Sequence, residues 1–242
     1  MSRSALIIGG TKGIGKSLSE RLLQENYLVV ATYASDCQAA DAVCSAFATS
    51  YPNHFFVLQA DSSSLDSIDV IASFLEQHRL MPEVVVFNAG MTDRSSFLEI
   101  KIDNWQKIFM VNIHFPTFLL QKIFPVMKRG GNVIFTGSLM GIHPHSLSLG
   151  YGVTKAAVHA LVKNLVKFLE EREIRVNAVA PGFVDTEWQK NKPADIRQNI
   201  TRKMTAGRFC EPDELIDVYM LLIQNRYMNG EIIVCDGGYG FR

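Results

Sequence analysis

Short apolar runs alternate with longer stretches of helical spacing along this chain. The runs are Ala5–Ile8, Leu28–Thr32, Phe55–Gln59, Val84–Phe87, Val133–Thr136, Arg175–Val179 and Ile232–Cys235. Several show no alternation of apolar and polar positions. A strand that is apolar on both faces is expected where helices cover both sides of a parallel sheet. Between the runs, Ile14, Leu18 and Leu22 repeat at helical spacing, as do Leu65, Ile68, Ile71 and Leu75, and again Val158, Leu161, Leu165 and Leu169. The third helix is predicted to start near Asp61–Ser64, where Asp and Ser side chains can cap exposed N–H groups. The pattern predicts a single α/β domain over residues 1–242, with a doubly wound, seven-stranded parallel sheet and helices on both faces. From Val184 to Asn229 no strand is signalled; the stretch is mostly helical in pattern, with breaks at Pro193 and Pro212. Its first part, residues 184–206, is a candidate substrate lid near the end of the sheet.

Composition narrows the classes. With 242 residues, 48% of them hydrophobic, the chain can bury a real core. Its 24 basic and 24 acidic residues balance, so no overall electrostatic case exists for nucleic acid or an anionic membrane as partner. No apolar run approaches the length that spans a bilayer. Met1 to Ser4 lead straight into the first strand, without the regions of a signal peptide. Cys37, Cys44, Cys210 and Cys235 form no C-x-x-C pair and read as reduced, mostly structural thiols of a cytoplasmic protein.

The first strand runs into Gly9-Gly10-Thr11-Lys12-Gly13-Ile14-Gly15 and then a helix. Glycines there permit a tight turn and a close approach to a pyrophosphate, and the helix N-terminus offers unpaired N–H groups to the anion. A bare turn would use glycines too, but the first strand–helix unit is where such sheets place a dinucleotide. An NAD site of this type usually carries Asp or Glu at the end of the second strand. Here that strand ends Ala31-Thr32-Tyr33-Ala34-Ser35, and Asp36 comes later. Lys12 lies inside the glycine turn, where an ammonium can meet a 2′-phosphate. The missing acid and the added cation favour NADP(H); the alternative for Lys12 is a solvated surface lysine.

Tyr151 and Lys155 stand at i and i+4, one above the other on a helix face. A free phenol has a pKa of about 10, too high for ready proton exchange at neutral pH. A nearby ammonium favours the phenolate and lowers that value, which makes Tyr151 a general acid for reduction or a base for oxidation. Ser138 follows the fifth strand, where its hydroxyl can polarise a carbonyl or simply cap a turn. Asn88-Ala89-Gly90 ends the fourth strand at the same edge, where small residues let a cofactor approach or merely make a turn.

Taken in order, these residues resemble the short-chain dehydrogenase/reductases over essentially the full length. The matching set is Gly9-Gly10-Thr11-Lys12-Gly13-Ile14-Gly15, Asp61, Asn88-Ala89-Gly90, Asn112, Ser138, Tyr151 with Lys155, Pro181-Gly182 and Asp236-Gly237-Gly238. The resemblance implies a Rossmann-like fold and a catalytic tetrad. Tyr151 would donate the proton and Ser138 would hold the substrate oxygen. Lys155 would bind the nicotinamide ribose and tune Tyr151, and Asn112 would hold a water that relays protons through Lys155. The cofactor would be held by Gly9, Thr11, Lys12, Gly13, Ile14 and Gly15, by Thr32 and Ser35, and by Pro181, Gly182, Val184 and Thr186. Asp61 would contact the adenine, Asn88 to Gly90 would flank it and the adjoining ribose, and Thr186 would approach the nicotinamide amide.

Within the family the chain is most similar to the bacterial 3-oxoacyl-(acyl-carrier-protein) reductases, which implies reduction of a 3-oxoacyl thioester and, by resemblance, a homotetramer. Arg129 and Arg172 match positions that receive the acidic carrier protein there, although each also suits a solvated helix end. Two features depart from the pattern. Gly9 stands where the glycine motif usually opens with Thr, which removes a strand-stabilising hydroxyl. His143-Pro144-His145 borders the expected substrate site and favours a different ketone or alcohol, such as a sugar, polyol, steroid or quinone type. Two histidines are too few for zinc, which takes three or four ligands, and no metal is expected. A non-catalytic dinucleotide sensor is the remaining alternative, set against all four tetrad positions being filled. Trp188, Met204 and Phe209 fall in or near the candidate lid. Trp105 and Phe109 sit at helical spacing, facing either the core or a partner subunit.

Overall fold

Burial on both faces decides where the strands form. In the computed structural model, which describes residues 3–144, 148–190 and 192–241, strands β1 (Ser4–Ile8), β4 (Val84–Phe87) and β5 (Asn132–Thr136) are buried at every position. They are joined in one sheet by β2 (Leu28–Tyr33), β3 (Phe55–Gln59), β6 (Arg175–Pro181) and β7 (Ile232–Cys235). The order is β3-β2-β1-β4-β5-β6-β7, and every pairing is parallel. The seven runs predicted from the sequence are these seven strands, four of them longer by one or two residues.

Alternate residues of β1 feed two cores. Leu6 and Ile8 face a layer with Phe115, Leu119, Val158 and Val162. Ala5 and Ile7 face the other, with Leu18, Leu22, Leu215 and Tyr219. The first layer is built by α3 (Asp66–Gln77), α5 (Phe115–Ile123) and α6 (Leu149–Phe168), the second by α1 (Gly13–Gln24), α2 (Cys37–Ala48) and α9 (Pro212–Gln224). The fold is therefore the predicted doubly wound one.

Helix α3 begins later than expected. Asp61 accepts the N–H and the hydroxyl of Ser63, and Ser64 accepts the N–H of Asp66. These side chains build a turn ahead of the helix instead of capping it. Helix α4 (Ile102–Phe109) passes through one π-helical turn, Met110–His114, into α5. Beyond β6, α7 (Glu187–Lys190) and α8 (Ala194–Thr201) occupy the candidate lid segment, broken at Pro193. Ile200, Met204 and Phe209 pack with Phe183 and Tyr239 into a small core of their own. Pro212 opens α9, whose start is closed by a Glu211–Glu214 capping box. Among the described residues no helix is long and apolar enough to cross a membrane, and no group of His, Cys, Asp or Glu is placed to hold a metal ion.

The order in which strands are added reverses between β1 and β4: β2 and β3 lie on one side of β1, and β4 to β7 on the other. At such a switch point the loops leave in opposite directions and open a crevice beyond the carboxyl ends of the strands. Gly9 and Asn88–Gly90 lie at that crevice.

Candidate active site

The turn after β1 is shaped by close contacts that only glycine permits. Gly9 has φ +79°, and a Cβ there would meet the Ala89 backbone at 3.0 Å. A Cβ on Gly15 would collide with the Gly9 carbonyl. The Gly9 N–H donates to Thr32 Oγ1 at 3.1 Å, so β2 supplies a hydroxyl contact to the position that lacks its own. The N-terminus of α1 has no side-chain cap and no acid in its first turn. Its free N–H groups and positive dipole end therefore face the crevice uncompensated, which fits a pyrophosphate.

A 480 Å³ cleft runs from this turn to α7. Its walls include Gly9, Lys12, Gly13, Ile14, Asn88, Ala89, Gly90, Ser138, Tyr151, Lys155, Pro181, Gly182, Val184 and Thr186. A neighbouring 290 Å³ hollow is lined by Thr32, Ser35 and Asp61, and shares Gly9, Ala89 and Gly90 with the cleft. Nearly all the residues expected to hold a cofactor thus line one continuous surface. Two do not: Thr11 is buried, and Gly15 is packed inside the turn. Asn88 lines the cleft, but its amide is committed elsewhere. Its Nδ2 donates to the Gly9 carbonyl at 2.8 Å, and its Oδ1 accepts from Thr136 Oγ1 at 3.3 Å. Asn88 therefore pins the glycine turn to β5.

Lys12 is not a lone cation. It pairs with Asp36, whose carboxylate also accepts the Ala39 N–H at the start of α2. The hydrogen bond from Lys12, then that from Ala39, holds the Asp36 carboxyl below its usual range. The acid absent from the tip of β2 returns three residues later and occupies the ammonium.

Ser138, Tyr151, Lys155 and Asn112 come together at the carboxyl end of β5. The Ser138 hydroxyl bonds the Tyr151 phenol and also accepts the Met140 N–H at 3.1 Å, so it is both a turn cap and a partner of the tyrosine. Burial pushes the Tyr151 phenol above its ordinary value, and the bond to Ser138 works against that. The expected lowering by Lys155 does not prevail. The ammonium sits 5.5 Å from the phenol ring centroid and donates to the Thr136 carbonyl at 2.5 Å, and burial brings it down to about 8. Desolvation outweighs mutual attraction when both groups are enclosed. Asn112 lies in the π-helical turn, donates to Met91 O and Thr154 Oγ1, and accepts the Met91 N–H at 2.8 Å. Asn112 Oδ1 and Lys155 Nζ both approach Gly90, which leaves the two groups on one patch of wall.

Several contributors carry no motif. Thr154 links Asn112 to the Tyr151 carbonyl. Tyr219 of α9, fully buried, bonds Thr136 Oγ1 at 2.6 Å and so braces the strand end that holds Lys155. His159, one turn beyond Lys155, presents Nε2 to the Ser138 N–H at 3.4 Å, and burial lowers its pKa to about 4. A Cβ on Gly137 would collide with that nitrogen. No motif in the sequence marks His159 for this place. Trp188 of α7 covers the tyrosine, ring centroids 6.2 Å apart, whereas Met204 and Phe209 face the lid's own core. Gln189 Oε1 is buried in the lid wall without a donor.

A second cavity of 500 Å³ shares Ser138, Tyr151, Pro181, Gly182, Trp188 and Gln189 with the cleft. His143 lines it and faces Gly240; His145 lies outside the described residues. Arg129 and Arg172 are elsewhere. Both precede strands, at the amino edge of the sheet, opposite the tetrad. Exposed Arg129 pairs with Glu173 at 2.5 Å and bonds the Glu171 carbonyl. Arg172 is half-buried, bonds the Met127 carbonyl at 2.7 Å and lies over the Phe124 ring. Within one chain, neither guanidinium can serve the tetrad.

A dinucleotide crevice at the switch point, with a Ser–Tyr–Lys–Asn cluster in its wall, defines a nucleotide-dependent oxidoreductase. The family model described as enoyl-(acyl carrier protein) reductase matches residues 9–240, and the chain belongs to the short-chain dehydrogenase/reductase family. It is 30% identical to an uncharacterised oxidoreductase, YmfI, of Bacillus subtilis, over 99% of each chain. It is also 30% identical to the 3-oxoacyl-(acyl-carrier-protein) reductase FabG of Aquifex aeolicus, over 97% of this chain and 96% of that one. Among solved structures it is similar to the RhlG/NADP active-site complex of Pseudomonas aeruginosa, with TM-score 0.90, 27% identity and coverage of 98% and 96% of the two chains.

Proposed function

We propose that this protein uses NADPH to reduce the 3-keto group of an acyl thioester on acyl carrier protein to the 3-hydroxyacyl product. The observation that carries this reading is that Ser138 and Tyr151 stand in the wall shared by two cavities. One cavity begins at the uncapped N-terminus of α1 and suits the nucleotide. The other, of 500 Å³ and walled in part by Leu139, Met140, Phe183 and Trp188, suits an acyl substrate. A carbonyl at the junction lies within reach of both.

When bound, NADPH supplies the hydride to the carbonyl carbon and is itself oxidised. Tyr151 supplies the proton to the carbonyl oxygen, which completes the alcohol. Burial holds its phenol protonated at neutral pH, the form a reduction needs. Ser138 orients the oxygen through its bond to Tyr151. Lys155 keeps a positive charge beside the developing oxyanion, and Asn112 and Thr154 hold the adjoining backbone in place. Trp188 and Gln189 close the lid side against water, and Gln189 Oε1 offers its free lone pairs to a donor on the bound ligands. Lys12 would hold the 2′-phosphate once released from Asp36.

The relatives named 3-oxoacyl reductase support the thioester substrate. Exposed Phe97, Leu98, Ile102 and Phe168 support association of the chain into an oligomer, for which we take a cytoplasmic homotetramer. In such an assembly Arg129 can receive the carrier protein for a neighbouring copy's cleft. His143 in the cavity wall favours a second reading, in which the same chemistry acts on another ketone. Loss of NADPH absorbance on adding acetoacetyl thioesters, linked to carrier protein or to a small thiol, tests the first reading. Turnover supports it; no turnover beside intact NADPH binding moves the substrate to other ketones.

A further inference from the structure

The second cavity has a one-signed rim. Arg94 comes from the loop after β4, Lys192 from the joint between α7 and α8, and Lys203 from the turn after α8. All three line the cavity, together with His143, and no Asp or Glu does so among the described residues. Nearby carboxylates are already engaged. Asp93 accepts from Ser95 twice and from Asn104, Asp185 pairs with Arg197, and Asp236 accepts the N–H groups of Gly238 and Gly240. Among the described residues none of the three cations lies within ion-pair distance of a carboxylate, although the chain as a whole has as many acids as bases. Burial, and then the like charges of Arg94 and Arg197, press the Lys192 ammonium below its ordinary value, so the rim repels itself as it stands.

Two stretches far apart in the chain, the loop after β4 and the two ends of α8, bring like charges to one concave surface. In water such charges spread apart unless something rewards their approach, and a concave wall of one sign focuses its field on what enters. The Ser138–Tyr151 wall lines the same cavity, and Leu139, Met140, Phe183 and Trp188 lie among its other lining residues. A ligand that fills it can set a carbonyl at Ser138 and Tyr151, apolar groups against these side chains and an oxyanion at the three cations.

We propose that Arg94, Lys192 and Lys203 form an anion-binding subsite for the substrate, which takes a phosphate or carboxylate group carried remote from the reacting ketone. The inference deepens the oxidoreductase reading and rests on it for the placement of the carbonyl. Two sources supply that chemistry: the phosphate of the pantetheine arm that links an acyl group to its carrier, and a free carboxylate on a small keto acid. An arginine beside two lysines suits either, since guanidinium binds oxyanions through paired N–H donors and ammonium as a point charge.

The test titrates phosphopantetheine and pantetheine, in separate experiments at low salt, into protein saturated with NADP+, followed by calorimetry. A keto acid and its methyl ester form a second pair. Wild type is expected to bind at least one anionic member about tenfold more tightly than its neutral partner, with the advantage shrinking as salt rises. Preference for the phosphorylated arm names the carrier source, and preference confined to the keto acid names the small-molecule source. In Arg94→Ser and Lys203→Ser the ratio of affinities should fall to about twofold or less, whereas Arg226→Ser, which removes an exposed charge at the amino edge of the sheet, should keep it. Equal affinity within both pairs, or a ratio that survives in Arg94→Ser and Lys203→Ser, overturns the subsite. Kinetics on the same compounds separate the two readings. Thioesters reduced without any anion preference leave the thioester reading and sink the subsite, and a rim-dependent preference without thioester turnover does the reverse.

Discussion

Histidine 159 offers a test of how tightly the back of the site is enclosed. It is 8% exposed, on α6 behind Ser138, with its Nε2 directed at the Ser138 N–H. Burial, then the charges of Lys155 and Lys163, lowers its pKa from 6.5 to about 4. At pH 7 the ring is neutral in folded and unfolded chains alike, and titration costs nothing. As the pH falls below 6.5 the unfolded chain takes up the proton while the folded chain refuses it until about 4, so stability is lost across that window. The difference is worth about 3 kcal/mol at its lower end. For a chain of this size that corresponds to roughly 6–12 °C in melting temperature. His159→Gln retains an acceptor for the Ser138 N–H and removes the titration. Thermal melts of both proteins across the acid range are the assay. The wild-type melting temperature, less that of the variant, should be flat above pH 6.5, fall as pH drops, and level off below about 4. Parallel curves would refute the reasoning, because they would mean that the ring reaches water or a compensating acid in the folded state.

Other residues make separate demands. Tyr151→Phe should lower turnover by about a hundredfold or more while NADPH binding, read by its fluorescence, changes little; an unaffected rate would point to a different acid. Asp36→Asn frees Lys12 and should tighten NADPH relative to NADH, whereas Lys12→Ala should weaken it by about tenfold or more; a ratio of dissociation constants that ignores both changes would remove Lys12 from the 2′-phosphate. Tyr219→Phe deletes the hydroxyl bonded to Thr136 and should cost about 1 kcal/mol, seen as a fall of about 2–4 °C in melting temperature.

Much of this molecule was legible in the chain alone. Strands such as Val84–Phe87 are apolar at every position because helices cover both faces of the sheet, and that requirement is written residue by residue. The glycine turn is legible for a similar reason, since Gly9 and Gly15 sit where a side chain has no room. Tyr151 and Lys155 share a helix face, so their spacing announces them. Partnerships across the chain were not legible. Lys12 looked like a free cation until Asp36, at the start of the next helix, closed on it. Nothing local in the chain told that folding would turn the Arg172 guanidinium onto the Met127 carbonyl and the Phe124 ring. His159 carries no motif, and only the course of α6 lays it behind Ser138. Arg94, Lys192 and Lys203 showed no pattern at all. Local sequence determined which segments become strands, turns and helices, because burial and backbone conformation act within a few residues. Which charges meet, which acid is taken and which rim stays positive were decided by the tertiary structure, because electrostatic partners depend on distance in space and on exclusion of water.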